Sequence, residues 1–292
     1  MTRALHLDPG FRPYATLGVI PFEAFTFSGG EPHVKLGDSD LAGAHVHVTH
    51  RAKTWNDLGL LATACDALRR AGAASLELTL PYFPGARQDR VMVAGEALTV
   101  KVYAGFLNAL AFTCVTVFDP HSEVAPALLD RPRVVSNVGF AKTVLDALPA
   151  DTLLVSPDAG AQKKVYKVAQ ALATEWDAGA PLRSRDVVEG GKRRDVKTGA
   201  LSGFHVYGGD LGGRPCLLLD DVCDGGGTFL GLAEALKAKG AGELYLAVSH
   251  GIFSKGMGAL SEVFTKVYCT DAFDTPEAHD SLDVVSLAGL LP

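Results

Sequence analysis

A chain of 292 residues exceeds one average domain, so two domains are expected. With 48% hydrophobic and 21% charged residues it has the make-up of an ordinary globular protein, which excludes a disordered or fibrous chain. A formal net charge of −6 removes any overall basic field of the kind that gathers nucleic acid or anionic membrane, so an anionic ligand must be held by a local site.

Met1 to Tyr14 alternates charge, proline and glycine, without the apolar core of a signal peptide. From Leu58 to Ala71, apolar residues at Leu58, Leu61, Ala62, Cys65 and Leu68 have the spacing of one helix face, and Gly72 is a stop signal. Leu76 to Leu80 alternates as a strand and ends at Pro81. A helix over 97–111 then precedes a strand from Cys114 to Phe118. Ala147 to Asp151 interrupts the pattern, which restarts with a strand at Thr152–Val155 and a helix over 164–173. We therefore expect domains at 1–148 and 149–292. The glycine-rich stretch from Glu189 to Gly213 reads as a long mobile excursion, and loops of that length are usually functional or disordered. Cys216–Leu219, a helix from Thr228 to Lys239 closed by Gly240, and Leu244–Val248 complete the alternation, which predicts an α/β fold with parallel sheets. No apolar run approaches the roughly 20 residues needed to cross a bilayer. Five cysteines stand far apart without a Cys-x-x-Cys pair, which argues against a disulfide framework or zinc site and for a cytoplasmic protein.

The most informative segment is Leu217 to Thr228. Two carboxylates, Asp220 and Asp221, close a buried strand, and Asp224, Gly225, Gly226 and Gly227 lead through Thr228 into a helix. Glycines let successive N–H groups converge on one oxyanion, Thr228 adds a hydroxyl, and the helix adds the positive end of its dipole. Acidic residues beside a phosphate repel it unless they serve sugar hydroxyls or Mg²⁺, so the combination points to a phosphorylated sugar. The plainer alternative is an acidic turn with glycines for tightness alone.

This segment resembles the phosphoribosyl-diphosphate motif shared by type I phosphoribosyltransferases and ribose-phosphate pyrophosphokinases, and other segments resemble the second family. Pro81 to Arg90 is similar to its ATP-site segment, which implies nucleotide contacts for Arg87, Gln88 and Asp89. Asp119-Pro120-His121 resembles its Asp-Leu-His, whose histidine reaches the metal-bound ATP phosphates. Ser156-Pro157-Asp158-Ala159-Gly160 resembles its Ser-Pro-Asp-x-Gly-Gly, whose aspartate serves the metal, with Ala161 replacing the second glycine. Lys192-Arg193-Arg194 resembles the flexible catalytic loop, which implies catalytic roles for Lys192 and Arg194 beside His121. Phe27-Ser28-Gly29-Gly30-Glu31 is similar to a loop reaching a neighbouring subunit's adenine, which implies ATP contacts for Phe27 and Glu31, with Gly29 where that pattern has aspartate. Taken alone, the basic triplet and Arg87 to Arg90 read equally as solvated loops.

The resemblance spans about Phe27 to Leu287. It implies two phosphoribosyltransferase-like domains, each a mostly parallel sheet flanked by helices. The ATP side falls in the first and the ribose-phosphate side, Asp220 to Thr228, in the second. It also implies Mg²⁺ near His121 and Asp158, and a cytoplasmic homo-oligomer built from dimers, a hexamer being one such assembly. The activity implied is transfer of the β,γ-diphosphoryl group of ATP to ribose 5-phosphate in nucleotide biosynthesis. Arg90 to Glu96 lacks the basic residues of the strongly regulated members, so weak or absent allosteric control is expected. Three alternatives stay open: a larger acceptor such as ADP-ribose, a catalytically silent nucleotide-binding regulator, and an ordinary phosphoribosyltransferase.

Overall fold

The computed structural model describes residues 1–176, 187–194 and 201–292, with the side chains of 173–176, 192–194, 201 and 202 outside that description. It divides into two compact units. Unit 1 comprises Met1–Val135, Ala272–Asp274 and Leu287–Pro292; unit 2 comprises Ser136–Asp271 and Thr275–Ser286. The division falls before residues 138–146 rather than after them, which differs from the expected cut at 148/149. The reason is that this short helix buries Phe140, Ala141, Val144 and Leu145 within the second unit, whereas in the sequence it reads only as the tail of the first.

Unit 1 runs β1 (Thr2–His6), β2 (Gly18–Val19), β3 (Phe22–Thr26), β4 (Pro32–Leu36), β5 (His45–Thr49), α1 (Trp55–Arg70), β6 (Ser75–Thr79), α2 (Thr99–Ala109), β7 (Cys114–Phe118), α3 (Val124–Leu128) and β8 (Pro132–Val135). Its main sheet has the order β2-β1-β5-β6-β7-β8 and is parallel throughout. β3 and β4 form a separate antiparallel pair. Leu58, Leu61, Ala64, Cys65 and Leu68 of α1 face a core that includes Val46, Val48, Leu76 and Leu78.

Unit 2 runs α4 (Val138–Asp146), β9 (Leu153–Ser156), α5 (Ala159–Trp176), β10 (Val187–Arg194), β11 (Leu201–Val206), β12 (Cys216–Cys223), α6 (Gly227–Ala238), β13 (Leu244–Gly251), α7 (Gly258–Val263), β14 (Lys266–Thr270) and β15 (Leu282–Val285). Its sheet order is β11-β10-β9-β12-β13-β14-β15, parallel except for the β10–β11 pair. Residues 189–194 and 201–206, expected within a long excursion, belong to strands. Val187 to Glu189 continue the sheet beside β9, and β10 returns antiparallel along β11 with a register shift between Gly191 and Arg193. Glycines and charges hid this pairing, because backbone hydrogen bonding at a sheet edge needs no apolar alternation.

The two sheets share one plan. The first strand is followed by an excursion to its outer side, and the chain then crosses back to add β5 to β8, or β12 to β15, in sequence order. In such sheets the strand order reverses beside the first strand, and ligands gather at the carboxyl ends there. In unit 1 that place lies between β1 and β5; in unit 2 it lies between β9 and β12.

Unit 1 satisfies this position with its own side chains. Asp8, after β1, accepts from Arg51 Nε at 2.5 Å and from the Gly10 N–H at 2.8 Å. At the start of α1 a capping box closes: the Asp57 N–H donates to Thr54 Oγ1 at 3.2 Å, and Asp57 Oδ2 accepts the N–H groups of Thr54 at 2.7 Å and Lys53 at 2.8 Å. Burial works to raise the Asp57 pKa, but these hydrogen bonds and the nearby His50 leave it below the usual value. A depressed folded value means that its stabilisation is complete above the ordinary aspartate pKa and is lost as pH falls through the folded one. We expect Thr54→Ala to cost about 1 kcal/mol by urea unfolding at neutral pH. The penalty of Asp57→Ala should be full at neutral pH and fade in acid below the ordinary aspartate range.

Candidate active site

The corresponding position in unit 2 starts α6 with glycine at its N-cap instead of a capping box. β12 is buried through Leu219 and carries Asp220 and Asp221 toward its carboxyl end. The turn after it reaches α6 through Gly226, whose φ of 76° lies in the left-handed region where a side chain is strained. Gly226 at the N-cap of α6 makes no side-chain cap hydrogen bond, and the first turn of the helix holds no acidic residue. The N–H groups of Phe229 and Leu230 both donate to the Gly226 carbonyl at 3.0 Å. The first N–H groups of a helix have no intrahelical acceptor, so this end can receive an anion. Thr228 lies in the same turn, half-buried.

Carboxylates crowd beside it. Asp220 Oδ1 accepts the Asp221 N–H at 2.9 Å. Burial, followed by the charge and hydrogen bond of Asp221 and the charge of Asp158, pushes the Asp220 carboxyl well above the usual aspartate range. Asp221 is 6% exposed and faces Lys164 Nζ of α5 at 4.0 Å. Asp158 follows β9 and caps α5: its Oδ1 accepts the N–H groups of Gly160 at 2.8 Å and Ala161 at 3.1 Å. Ser156 Oγ donates to the Asp158 carbonyl at 3.0 Å. Ala161 therefore sits in the first turn of a capped helix, 5% exposed. The structure thus brings Asp158, Asp220 and Asp221 into one electrostatic cluster, with Asp224 to Thr228 following along the turn.

The remaining unit 2 candidates are Lys192 and Arg194. Their backbone lies in β10, with Arg194 opposite Leu201, while their side chains fall outside the described residues. Sequence reasoning passed over Lys164, Ser254 and Lys255. Ser254 Oγ donates to Asp224 Oδ1 at 2.6 Å, and the Lys255 stem lies against Gly225. A usable signal existed for the last two, since they follow the apolar strand Leu244–Val248 on the carboxyl side where ligands bind.

In unit 1 the nucleotide-side candidates stand beyond β6 and β7. Phe83 and Ala86 are buried and anchor the loop, leaving Arg87 and Gln88 exposed. Asp89 points inward, its side chain 6% exposed, and accepts from Arg90 Nε at 3.0 Å. Burial works to raise the Asp89 pKa, but hydrogen bonds from Arg90 and Ser122 and the charges of Arg90 and His121 bring it below the usual value. Asp89 and His121, more than thirty residues apart in sequence, are therefore neighbours. Asp119 is 5% exposed with a φ of 37°, a left-handed conformation unusual for a residue with a side chain. Its N–H donates to the Val135 carbonyl at 2.8 Å, and the backbone turns there to leave His121 exposed.

Phe27 and Glu31 belong to the turn joining β3 and β4, where the Phe27 N–H donates to the Glu31 carbonyl at 2.9 Å. Phe27 is 55% exposed and packs edge-on against Phe25 at 5.1 Å. Glu31 folds back over Gly29, its carboxylate oxygens 2.5 and 2.7 Å from where a Cβ would stand. An aspartate at 29 would displace that carboxylate. His121 and Asp158, the expected metal pair, belong to different units. Among the described residues no three His, Cys, Asp or Glu side chains form a metal-holding group, and no helix is long and apolar enough to cross a membrane.

Residues 13–110 match the N-terminal domain of ribose phosphate pyrophosphokinase, and residues 204–270 match the phosphoribosyl synthetase-associated domain. A ribose-phosphate pyrophosphokinase of Pasteurella multocida is 33% identical over 278 residues, covering 91% of this chain and 84% of that one. One from Caldanaerobacter subterraneus subsp. tengcongensis is 33% identical over 277 residues, covering 92% and 83%. The crystal structure of phosphoribosylpyrophosphate synthetase from Mycobacterium smegmatis superposes with a TM-score of 0.83 at 25% identity, over 100% of this chain and 96% of that one. The arrangement of two mostly parallel sheets flanked by helices is common to both structures. On these likenesses, spread over nearly its whole length, the chain belongs to the ribose-phosphate pyrophosphokinase family.

Proposed function

We propose that this chain transfers the β,γ-diphosphoryl group of Mg-ATP to the C1 hydroxyl of ribose 5-phosphate, giving 5-phosphoribosyl 1-diphosphate and AMP. The observation that carries this is the uncapped, glycine-lined start of α6 behind the paired carboxylates of Asp220 and Asp221. An N–H-rich pocket suits a phosphate, and carboxylates one strand end away suit sugar hydroxyls. A phosphorylated ribose presents both groups.

In this reading Gly225, Gly226, Gly227 and Thr228 receive the 5-phosphate, while Asp220, Asp221 and Asp224 orient the ribose. Arg87, Gln88 and Asp89 receive the nucleotide, and His121 adds charge beside its phosphates. Phe27 and Glu31 serve the adenine of a neighbouring subunit in a homo-oligomer. The C1 oxygen forms a bond to the β-phosphorus, the bond from that phosphorus to the bridging α–β oxygen breaks, and AMP departs with the electron pair. The hydroxyl proton passes to solvent. Lys192 and Arg194 neutralise charge on the transferring oxygens, and catalysis rests mainly on alignment and neutralisation.

Among the described residues no three side chains form a metal-holding group by themselves, so a hard cation here would take part of its shell from phosphate oxygens; Asp158 beside the Asp220–Asp221 pair offers carboxylate oxygens whose mutual repulsion a divalent ion relieves. Mg²⁺ held by Asp158 and by the nucleotide phosphates beside His121 would supply charge neutralisation and a more acidic hydroxyl.

With Mg-ATP and ribose 5-phosphate the protein should release AMP, and Lys192→Ala and Arg194→Ala should each lower turnover about 10²-fold or more. AMP formed with ADP-ribose but not with ribose 5-phosphate would keep the chemistry and replace the acceptor. No AMP with either would leave the silent regulator. Turnover of phosphoribosyl diphosphate with a free base, without ATP, would make the chain a phosphoribosyltransferase.

Asp220 gives a separate expectation for the ligand-free protein. Its folded pKa is raised, so the stability it contributes is complete below the ordinary aspartate value and is lost as pH rises through the folded one. Asp220→Asn should therefore melt above the wild type at neutral pH, the difference closing as the pH drops into the ordinary aspartate range. The same variant should raise the acceptor KM. A wild type at least as stable as Asp220→Asn at neutral pH would show that no such cost exists.

A further inference from the structure

The turn after β12 is fixed from one side by the turn after β13. The N–H groups of Ile252 and Phe253 donate to the Cys223 carbonyl at 2.9 and 3.1 Å, and that of Ser254 donates to the Asp224 carbonyl at 3.1 Å. Ser254 Oγ adds its bond to Asp224 Oδ1, and the Gly256 N–H closes the turn on the Phe253 carbonyl at 2.8 Å. The residue held between these contacts is Lys255. Its backbone position is therefore set by the phosphate turn itself.

The lysine stem lies on the glycines. A Cβ built on Gly225 would stand 3.3 Å from Lys255 Cε, 3.4 Å from Cδ and 3.6 Å from Cγ. The ammonium nitrogen is one bond beyond Cε, within about 5 Å of that point. Among the described residues Lys255 has no carboxylate in ion-pair range, whereas Lys164, the other cation of this cluster, faces Asp221. The segment from Asp220 to Asp224 contributes three carboxyl groups, so an anion entering the turn meets a negative background that N–H groups and one hydroxyl must overcome. A compact ammonium on a long stem suits a phosphate as a point charge.

We propose that Lys255 is a further phosphate-binding residue of this site: seated over Gly225, its ammonium group pairs with the phosphate of the sugar received by residues 224–228. The proposal deepens the acceptor reading above and rests on it for the identity of the sugar. It assigns Lys255 to ground-state capture of the acceptor, not to the transfer step. A charged hydrogen bond of this kind is worth about tenfold or more in affinity.

The test compares full-length wild type with Lys255→Ala, Lys255→Arg and, as a charge control, Lys237→Ala. Lys237 is in the last turn of α6, about 15 Å along the helix axis from its start. Calorimetric titration with ribose 5-phosphate, and separately with inorganic phosphate, is done without ATP at low and raised ionic strength. Expected are an approximately tenfold weaker Kd for Lys255→Ala, recovery toward wild type in Lys255→Arg, a smaller difference in salt, and no change in Lys237→Ala. In turnover the acceptor KM should rise about tenfold, with kcat and the ATP KM within about twofold. Equal phosphate and ribose 5-phosphate affinities in wild type and Lys255→Ala would overturn the proposal. So would an equal loss in Lys237→Ala, a fall in kcat at unchanged Kd, or a wild type that binds neither probe. Because the titration needs no catalysis, a Lys255-dependent Kd in a wild type that releases no AMP would retain this residue's role and sink only the pyrophosphokinase reading.

Discussion

A strand buried in the middle of a parallel sheet can expose polar groups only at its ends, and β12 is where that constraint matters most. Its apolar run, Cys216 to Leu219, is fully buried and paired on both sides through Leu218. The first residues that can carry chemistry are therefore Asp220 and Asp221. Their carboxyls cannot all ionise comfortably in so small a volume beside Asp158, and Asp220 holds its proton far more tightly than an ordinary aspartate. That repulsion, set against the electropositive start of α6 a few residues on, is the feature on which the proposed binding of a ligand with both hydroxyls and phosphate rests.

The two units show how one topology becomes two different surfaces. Each sheet reverses its strand order beside its first strand, and each places a helix start there. In unit 1 the helix start takes the Asp57 carboxylate as its own anion, and Arg51 takes Asp8. In unit 2 glycine stands at the N-cap of α6 and supplies no side-chain cap. The difference lies in a handful of side chains. It commits the unit 1 crevice to stability, because a helix N-terminus satisfied internally gains nothing from an external anion.

The nucleotide-side candidates follow another logic. Here the positions are exposed and their backbone is constrained instead: the left-handed Asp119, the buried anchors Phe83 and Ala86, and the inward Asp89 that ties two loops together. Strain at Asp119 persists because the neighbouring strand's carbonyl accepts its N–H. Such loops place Arg87, Gln88 and His121 at exposed positions.

The sequence by itself determined the alternation of strands and helices, the parallel sheets and the order of the motifs, because apolar periodicity and glycine punctuation are local properties. Helix α1 and strands β6, β7, β12 and β13 were legible in this way, and so was the acidic, glycine-rich turn. Only the tertiary structure decided what depends on neighbours distant in the chain. The hairpin of β10 and β11 is specified by edge pairing rather than by pattern, and α4 joins the second unit because of what covers its apolar face. The meeting of Asp89 with His121, the raised pKa of Asp220 and the seating of Lys255 over Gly225 likewise arise only when separate strand ends are brought side by side. Charge and packing act through space, and a linear pattern records only which residues are on hand to use them.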